Sequence, residues 1–194
     1  MNLYPLGKFL CSVIFYPLYR IKVIGKENFP KEGGVLLCTN HIENVDPPVV
    51  GITCPRPVHF MAKEELFKLP VLKSVLPKVN AYPVKRGMSD REAFRNTLKV
   101  LKSGKVVGMF PEGTRSKTGE IGKGLSGAGF FALKGGDAVV VPCAIIGPYK
   151  AFKRLKVVYG KPLDLTIYRE NRTSAEDVTE VIMNEIQKLL EQNK

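Results

Sequence analysis

Short apolar runs rich in β-branched residues punctuate the chain: Gly34–Cys38, Val58–Ala62, Ala81–Val84, Val106–Phe110, Ala138–Ile146 and Val157–Tyr159. Each is too short for a buried helix, and most are bounded by Gly, Pro or a charged cluster, which marks them as strands. A further alternating run, Ile21–Gly25, adds another. Between several of them lie segments of helical period. One starts at Pro47, one runs from Leu69-Pro70 to Leu76, and one follows Ser89-Asp90-Arg91-Glu92, which has the form of a capping box with Ser89 as the cap. That last helix turns Phe94, Leu98 and Leu101 inward and stops near Gly104. Phe130–Lys134 reads as helical, and a final helix capped by Ser174 carries Val178, Val181, Ile182, Ile186, Leu189 and Leu190 as a core stripe. Strands alternating with helices predict an α/β fold, a single domain with a mostly parallel sheet flanked by helices. The 194 residues, 44% of them hydrophobic, suffice for one core, and no repeat or linker divides them.

In such sheets ligands collect beyond the carboxyl ends of the strands. The chain places its chemically active residues there: His41, Lys63, Arg86 and the stretch Glu112-Gly113-Thr114-Arg115 each follow or end a strand. His41 is followed five residues on by Asp46, then by Pro47 and Pro48. On a helix that spacing separates two side chains by about 140°. A turn, favoured by the prolines, lets them meet. A carboxylate on one imidazole nitrogen fixes the tautomer and leaves the other nitrogen free as a base. Alone, the spacing is equally that of a histidine satisfying local backbone at a strand end. No Gly-x-Ser-x-Gly elbow is present. Cys38 is the one cysteine near the base, and its strand position turns it into the core. Direct attack by a substrate hydroxyl is the simpler chemistry. His59, lone within an apolar strand, is a structural residue.

Charge narrows the partners. Thirty Lys and Arg against 18 Asp and Glu give a formal +12, which favours polyanions. Between Phe60 and Lys105 eleven basic residues face four acidic ones; most form a solvated face, but Lys63, Arg86 and Arg115 stand at strand ends. Two or three charge-assisted hydrogen bonds at about 1.5–3 kcal/mol each hold a phosphomonoester. Glu112 is placed to fix the Arg115 guanidinium or contact a substrate hydroxyl; its bland counterpart is a surface ion pair. The four cysteines show no metal-ligand or redox spacing, so no metal is expected and a reducing compartment fits.

Residues 1–19 form a separate amphipathic segment ahead of a 20–194 domain. Phe9–Tyr19 lacks charge but spans only eleven residues including Pro17, against roughly 20 needed to cross a bilayer. No small-residue cleavage site suggests a signal peptide. Leu3, Leu6, Phe9, Leu10, Val13 and Ile14 recur at helical spacing among dense aromatics. The stripe fits a helix lying in a membrane interface or one packed on the core.

Two motifs taken together are informative. Asn40-His41-x4-Asp46-Pro47-Pro48, followed by Phe110-Pro111-Glu112-Gly113-Thr114-Arg115-Ser116, closely resembles the glycerophospholipid acyltransferases, and within them the 1-acylglycerol-3-phosphate acyltransferase branch. Lys63, Val84-Lys85-Arg86, Lys123-Gly124 and Val140–Ile145 match secondary motifs, so the motif-bearing core spans about 35–147. The resemblance implies transfer of a fatty acyl group from acyl-CoA or acyl carrier protein to the free hydroxyl of lysophosphatidate, giving phosphatidate. His41 is then the general base, oriented by Asp46, without an acyl-enzyme. Lys63, Arg86, Glu112, Gly113, Thr114 and Arg115 bind the glycerol-phosphate end. No cofactor is implied, and a peripheral position on the cytoplasmic face of the membrane follows from lipid substrates. The same reasoning favours the interfacial reading of residues 1–19. Many members carry Ser two positions after the histidine where this chain has Glu43. That residue belongs to the spacer and puts acceptor contacts or turn geometry in question rather than the base. Glycerol 3-phosphate or another lysophospholipid is the rival acceptor. A non-catalytic basic module on membrane or nucleic acid explains the charge but neither motif, and no base-stacking platform is evident, so nucleic acid is not an expected partner.

Overall fold

The computed structural model describes residues 2–85, 90–116 and 118–194. Seven strands form one sheet: β1 (Lys22–Ile24), β2 (Val35–Thr39), β3 (Val58–Lys63), β4 (Ala81–Val84), β5 (Val106–Met109), β6 (Val139–Ile146) and β7 (Lys156–Tyr159). Their order is β1-β7-β6-β2-β5-β3-β4. All neighbours pair in parallel except β6 with β7. The carboxyl ends of β2, β3, β4, β5 and β6 therefore share one edge, as the sequence predicts for a mostly parallel α/β sheet.

The helices are α1 (Tyr4–Tyr19), α2 (Asp46–Thr53), α3 (Pro70–Val75), α4 (Arg91–Lys102), α5 (Gly127–Lys134), α6 (Thr166–Glu170) and α7 (Ala175–Gln192). Alternation along β2 divides the core. Val35 and Leu37 pack on one face with Val49, Val50, Phe15 and Tyr19 from α2 and α1. Leu36 and Cys38 pack on the other with Leu101, Phe131, Val178, Ile182 and Ile186 from α4, α5 and α7. Both faces being covered explains why the strands read as continuous apolar runs. Ser174 caps α7 by accepting the Asp177 N–H at 3.1 Å. At α4 the cap is Asp90, which accepts from the Ala93 N–H at 3.0 Å and the Lys85 N–H at 2.9 Å. The cap is thus displaced by one residue, the Asp90 carboxylate serving the orphan Ala93 N–H of the helix and, outside it, the Lys85 N–H. Ser89 lies outside the described residues.

The orientation of α1 is the fold's unusual feature. Its inward face carries polar groups with defined partners: the Tyr4 hydroxyl donates to Gly51 O and accepts the Val58 N–H, and Lys8 Nζ donates to Cys54 O. Its outward face is the apolar stripe, with Leu6, Phe9, Leu10, Val13 and Ile14 all more than half exposed. No helix among the described residues is long and apolar enough to cross a membrane.

Candidate active site

β2 delivers Asn40 and His41 past its carboxyl end. Asn40 is buried, and its side chain clamps the neighbouring strand, donating to Ile145 O at 3.0 Å and accepting the Ile145 N–H at 2.7 Å. That fixes where the chain leaves the sheet. The following turn lets Asp46, in the first turn of α2, face back on His41, and Nδ1 lies 2.7 Å from Asp46 Oδ2. The same oxygen accepts the Ile42 and Glu43 N–H groups, each at 2.7 Å. Oδ1 accepts the Tyr149 hydroxyl at 2.6 Å. A fully buried carboxylate with this many donors is compensated in place, and Nδ1 carries its hydrogen towards it. The Nε2 lone pair is left for other use. The His41 ring stacks on Phe110, centroids 4.1 Å apart and planes 23° apart.

β5, next to β2, delivers the second motif. Glu112 is buried, and its two oxygens are both occupied by backbone: Oε1 accepts the His41 N–H and Oε2 the Gly122 N–H, each at 2.9 Å. The Ser116 N–H donates to His41 O at 2.8 Å. The loop 112–116 is therefore tied to the His41 backbone at both ends. Gly113 adopts φ 67°, and a side chain there would run into Leu125. Of the alternatives for Glu112, an ion pair with Arg115 does not form, and backbone donors occupy both carboxylate oxygens. Thr114 and Arg115 are exposed instead and, with Ser116 and Lys123, line an open cleft of 420 Å³. Lys63 ends β3, exposed on the same sheet edge. Arg86 lies outside the described residues.

Two contributors escaped sequence reasoning. Tyr149, just beyond β6, meets Asp46 across 103 positions, and only its place after a strand's carboxyl end hinted at it. Burial first, then the Asp46 carboxylate, push its phenol far above the usual range, so it remains a donor. Phe110 stands in the second motif, but nothing in the sequence marks it as the ring that stacks on His41. Cys38 is fully buried and its thiol is pushed up strongly by desolvation, which leaves it unsuited as a nucleophile. His59 sits with Nδ1 3.1 Å from Val106 O, and burial lowers its pKa, in keeping with a structural residue. No cluster of potential metal ligands occurs among the described residues.

The family model described as Acyltransferase matches residues 20–146. A 1-acyl-sn-glycerol-3-phosphate acyltransferase of Bacillus subtilis is 37% identical over 149 residues, covering 74% of this chain and 73% of the relative. One from Borreliella burgdorferi is 29% identical over 193 residues, covering 93% and 76%. Among solved structures, the 1-acyl-sn-glycerophosphate acyltransferase PlsC of Thermotoga maritima superposes with a TM-score of 0.73 at 25% identity, over 96% of this chain and 78% of that one. The matched span holds the β2 histidine, the turn that closes on it and the β5 loop, and on it the chain belongs to the acyltransferase family as an O-acyltransferase.

Proposed function

We propose that the protein transfers a fatty acyl group from a thioester, acyl-CoA or acyl carrier protein, to the free hydroxyl of 1-acylglycerol 3-phosphate, producing phosphatidate. The observation that carries this reading is the His41–Asp46 pair, with Nε2 left free at the sheet edge; the activities named for the relatives supply the substrate class. His41 Nε2 takes the proton of the acceptor hydroxyl as its oxygen attacks the thioester carbonyl. Collapse of the tetrahedral intermediate breaks the C–S bond, and the imidazolium returns its proton to the departing thiolate. Asp46 holds the tautomer and stabilises the imidazolium. The enzyme is never acylated, and no cofactor or metal enters the scheme. Arg115, with Lys63 and Arg86, takes the phosphate, while Glu112, Gly113 and Thr114 shape the loop that presents Arg115.

The outward apolar face of α1 supports attachment of residues 1–19 to the lipid surface that holds acceptor and product. Free cysteines support the reducing, cytoplasmic side of the membrane. An acyl-transfer assay crossing acyl-CoA and acyl carrier protein with lysophosphatidate, glycerol 3-phosphate and neutral lysolipids tests the assignment. Lysophosphatidate is expected to be the preferred acceptor, and preference for glycerol 3-phosphate would overturn it. His41→Ala is expected to stay folded and lose nearly all transfer; near wild-type rates would remove His41 as the base.

A further inference from the structure

Among the described residues, ten of the thirteen exposed large apolar side chains fall in two segments, with Leu125, Phe152 and Ile167 standing singly elsewhere. Apart from those on α1, four occur in the crossover between β3 and β4: Leu66 at 37%, Leu69 at 50%, Val71 at 72% and Val75 at 37% exposure. This crossover comprises a 3-10 turn at Glu64–Lys68, α3, and a second 3-10 turn at Leu76–Val79. It is joined to α1, since the Leu3 N–H donates to Lys78 O at 2.9 Å and Gly7 lies against the Val79 side chain. α1 starts beside the end of this crossover, and its other end, Tyr19, meets Tyr149 edge to face at 5.2 Å, next to Asp46. The crossover itself leaves β3 at Lys63, on the edge where the site lies.

Charge decides what covers this apolar surface. From Leu66 to Val79 there is no acidic residue, and the exposed Lys68, Lys73 and Lys78 recur every five positions among the apolar side chains. Lysine is depleted at protein–protein interfaces, whereas at a bilayer surface its stem lies along apolar atoms while the ammonium reaches the headgroups. We propose that residues 66–79 are a second membrane-docking element, which lies on an anionic bilayer beside α1. This rests on the membrane reading of α1. With both elements seated, the bilayer is held against the flank of the strand-end edge where His41 works, so a lipid acceptor is delivered from the surface rather than from solution.

The chain contains no tryptophan, so a single introduced one reports its own surroundings. The test uses the full chain in three variants: Val71→Trp in the crossover, Val13→Trp on α1 and Ile167→Trp on the exposed α6. Each is mixed with phosphatidylglycerol–phosphatidylcholine vesicles carrying brominated acyl chains. Blue-shifted, quenched emission from Val71→Trp and Val13→Trp, with Ile167→Trp unchanged, is expected. Quenching at Val13→Trp alone would overturn the second element and leave the α1 reading standing. Quenching at neither would overturn both, and equal quenching at all three would overturn a defined docking face. A concentration-dependent blue shift of Val71→Trp without lipid would assign the surface to a second copy of the chain and likewise overturn the proposal. Replacing Lys68, Lys73 and Lys78 together by Gln is expected to weaken partitioning into anionic vesicles by about 100-fold, at about fivefold per lysine, with neutral vesicles unaffected. Unchanged partitioning would sink the electrostatic part of the argument.

Discussion

Glu112→Gln separates two roles for the glutamate of the second motif. If the carboxylate contacts substrate, the substitution weakens acceptor binding and leaves the fold alone. The structure gives it another task, since Oε1 and Oε2 each accept a backbone N–H at 2.9 Å, from His41 and Gly122, within a buried site. Glutamine keeps one acceptor oxygen but turns an NH2 group on the other donor. One charge-assisted hydrogen bond is lost, worth about 1.5–3 kcal/mol, and a buried N–H is left unpaired. A total near 3 kcal/mol follows, which in a chain of this size lowers the melting temperature by about 6–12 °C. The backbone of the base itself shifts, so kcat is expected to fall more than acceptor KM rises. Thermal unfolding by circular dichroism and steady-state kinetics on the same preparation read both quantities. An unchanged melting temperature together with a raised acceptor KM would refute the backbone-clamp account and return Glu112 to the substrate.

Asp46→Asn is expected to keep the fold and cost roughly 10³–10⁴-fold in kcat, by analogy with other His–Asp pairs; a loss confined to KM would contradict its place behind the base. Tyr149→Phe removes one donor to that carboxylate, and a loss near 1.5 kcal/mol predicts about tenfold in kcat with acceptor KM unchanged. Because burial and Asp46 hold the Tyr149 phenol protonated, the wild type and this variant should have parallel pH–rate profiles on the alkaline side between about pH 8 and 10; an alkaline limb lost in the variant would contradict that. Arg115→Ala is expected to raise acceptor KM chiefly, and an unchanged acceptor dependence in initial rates would count against the phosphate role. Maleimide labelling of the folded protein should reach Cys11 alone, since Cys38, Cys54 and Cys143 are buried with thiols pushed up by desolvation, and transfer should survive it.

What the sequence made legible was local. The strand runs, the helix stripes and the arrival of His41, Glu112 and Lys63 at carboxyl ends all follow from periodicity within a few residues. The turn that closes Asp46 on His41 was readable from two prolines. Partners across long separations were not: Glu112 to His41 spans 71 positions and Tyr149 to Asp46 spans 103, and no local pattern encodes which strand ends become neighbours. A glutamate beside an arginine in sequence invites an ion pair, yet the buried His41 and Gly122 N–H groups compete for the same oxygens and win. The helical period of residues 4–19 was equally plain, while its outward facing followed only from the family resemblance and not from the residues themselves. A helical stripe normally turns to the core; here Tyr4 and Lys8 find backbone partners inside and hold the stripe outward.

The arrangement around β2 explains why the two motifs lie so far apart in the chain. β2 is flanked by β5 and β6, so three adjacent strand ends bring one component each: His41 from β2, Glu112 from β5 and Tyr149 beyond β6. Glu112 constrains His41 through its backbone, and Tyr149 constrains the Asp46 carboxylate, so the imidazole is held from two sides by groups bonded away from Nε2. Among the described residues, Nε2 has no hydrogen-bond partner. Tyr149 also packs on Tyr19 at the end of α1, and the backbone N–H groups of Phe152 and Leu155 donate to Leu18 and Tyr19 carbonyls. The residue that steadies the His41–Asp46 pair is thus the same one that receives the end of the apolar-faced helix. A change in how α1 is seated reaches Asp46 through the Tyr19–Tyr149 contact as well as through α2, on which α1 packs directly, and substitutions at Tyr19 are therefore expected to alter kcat.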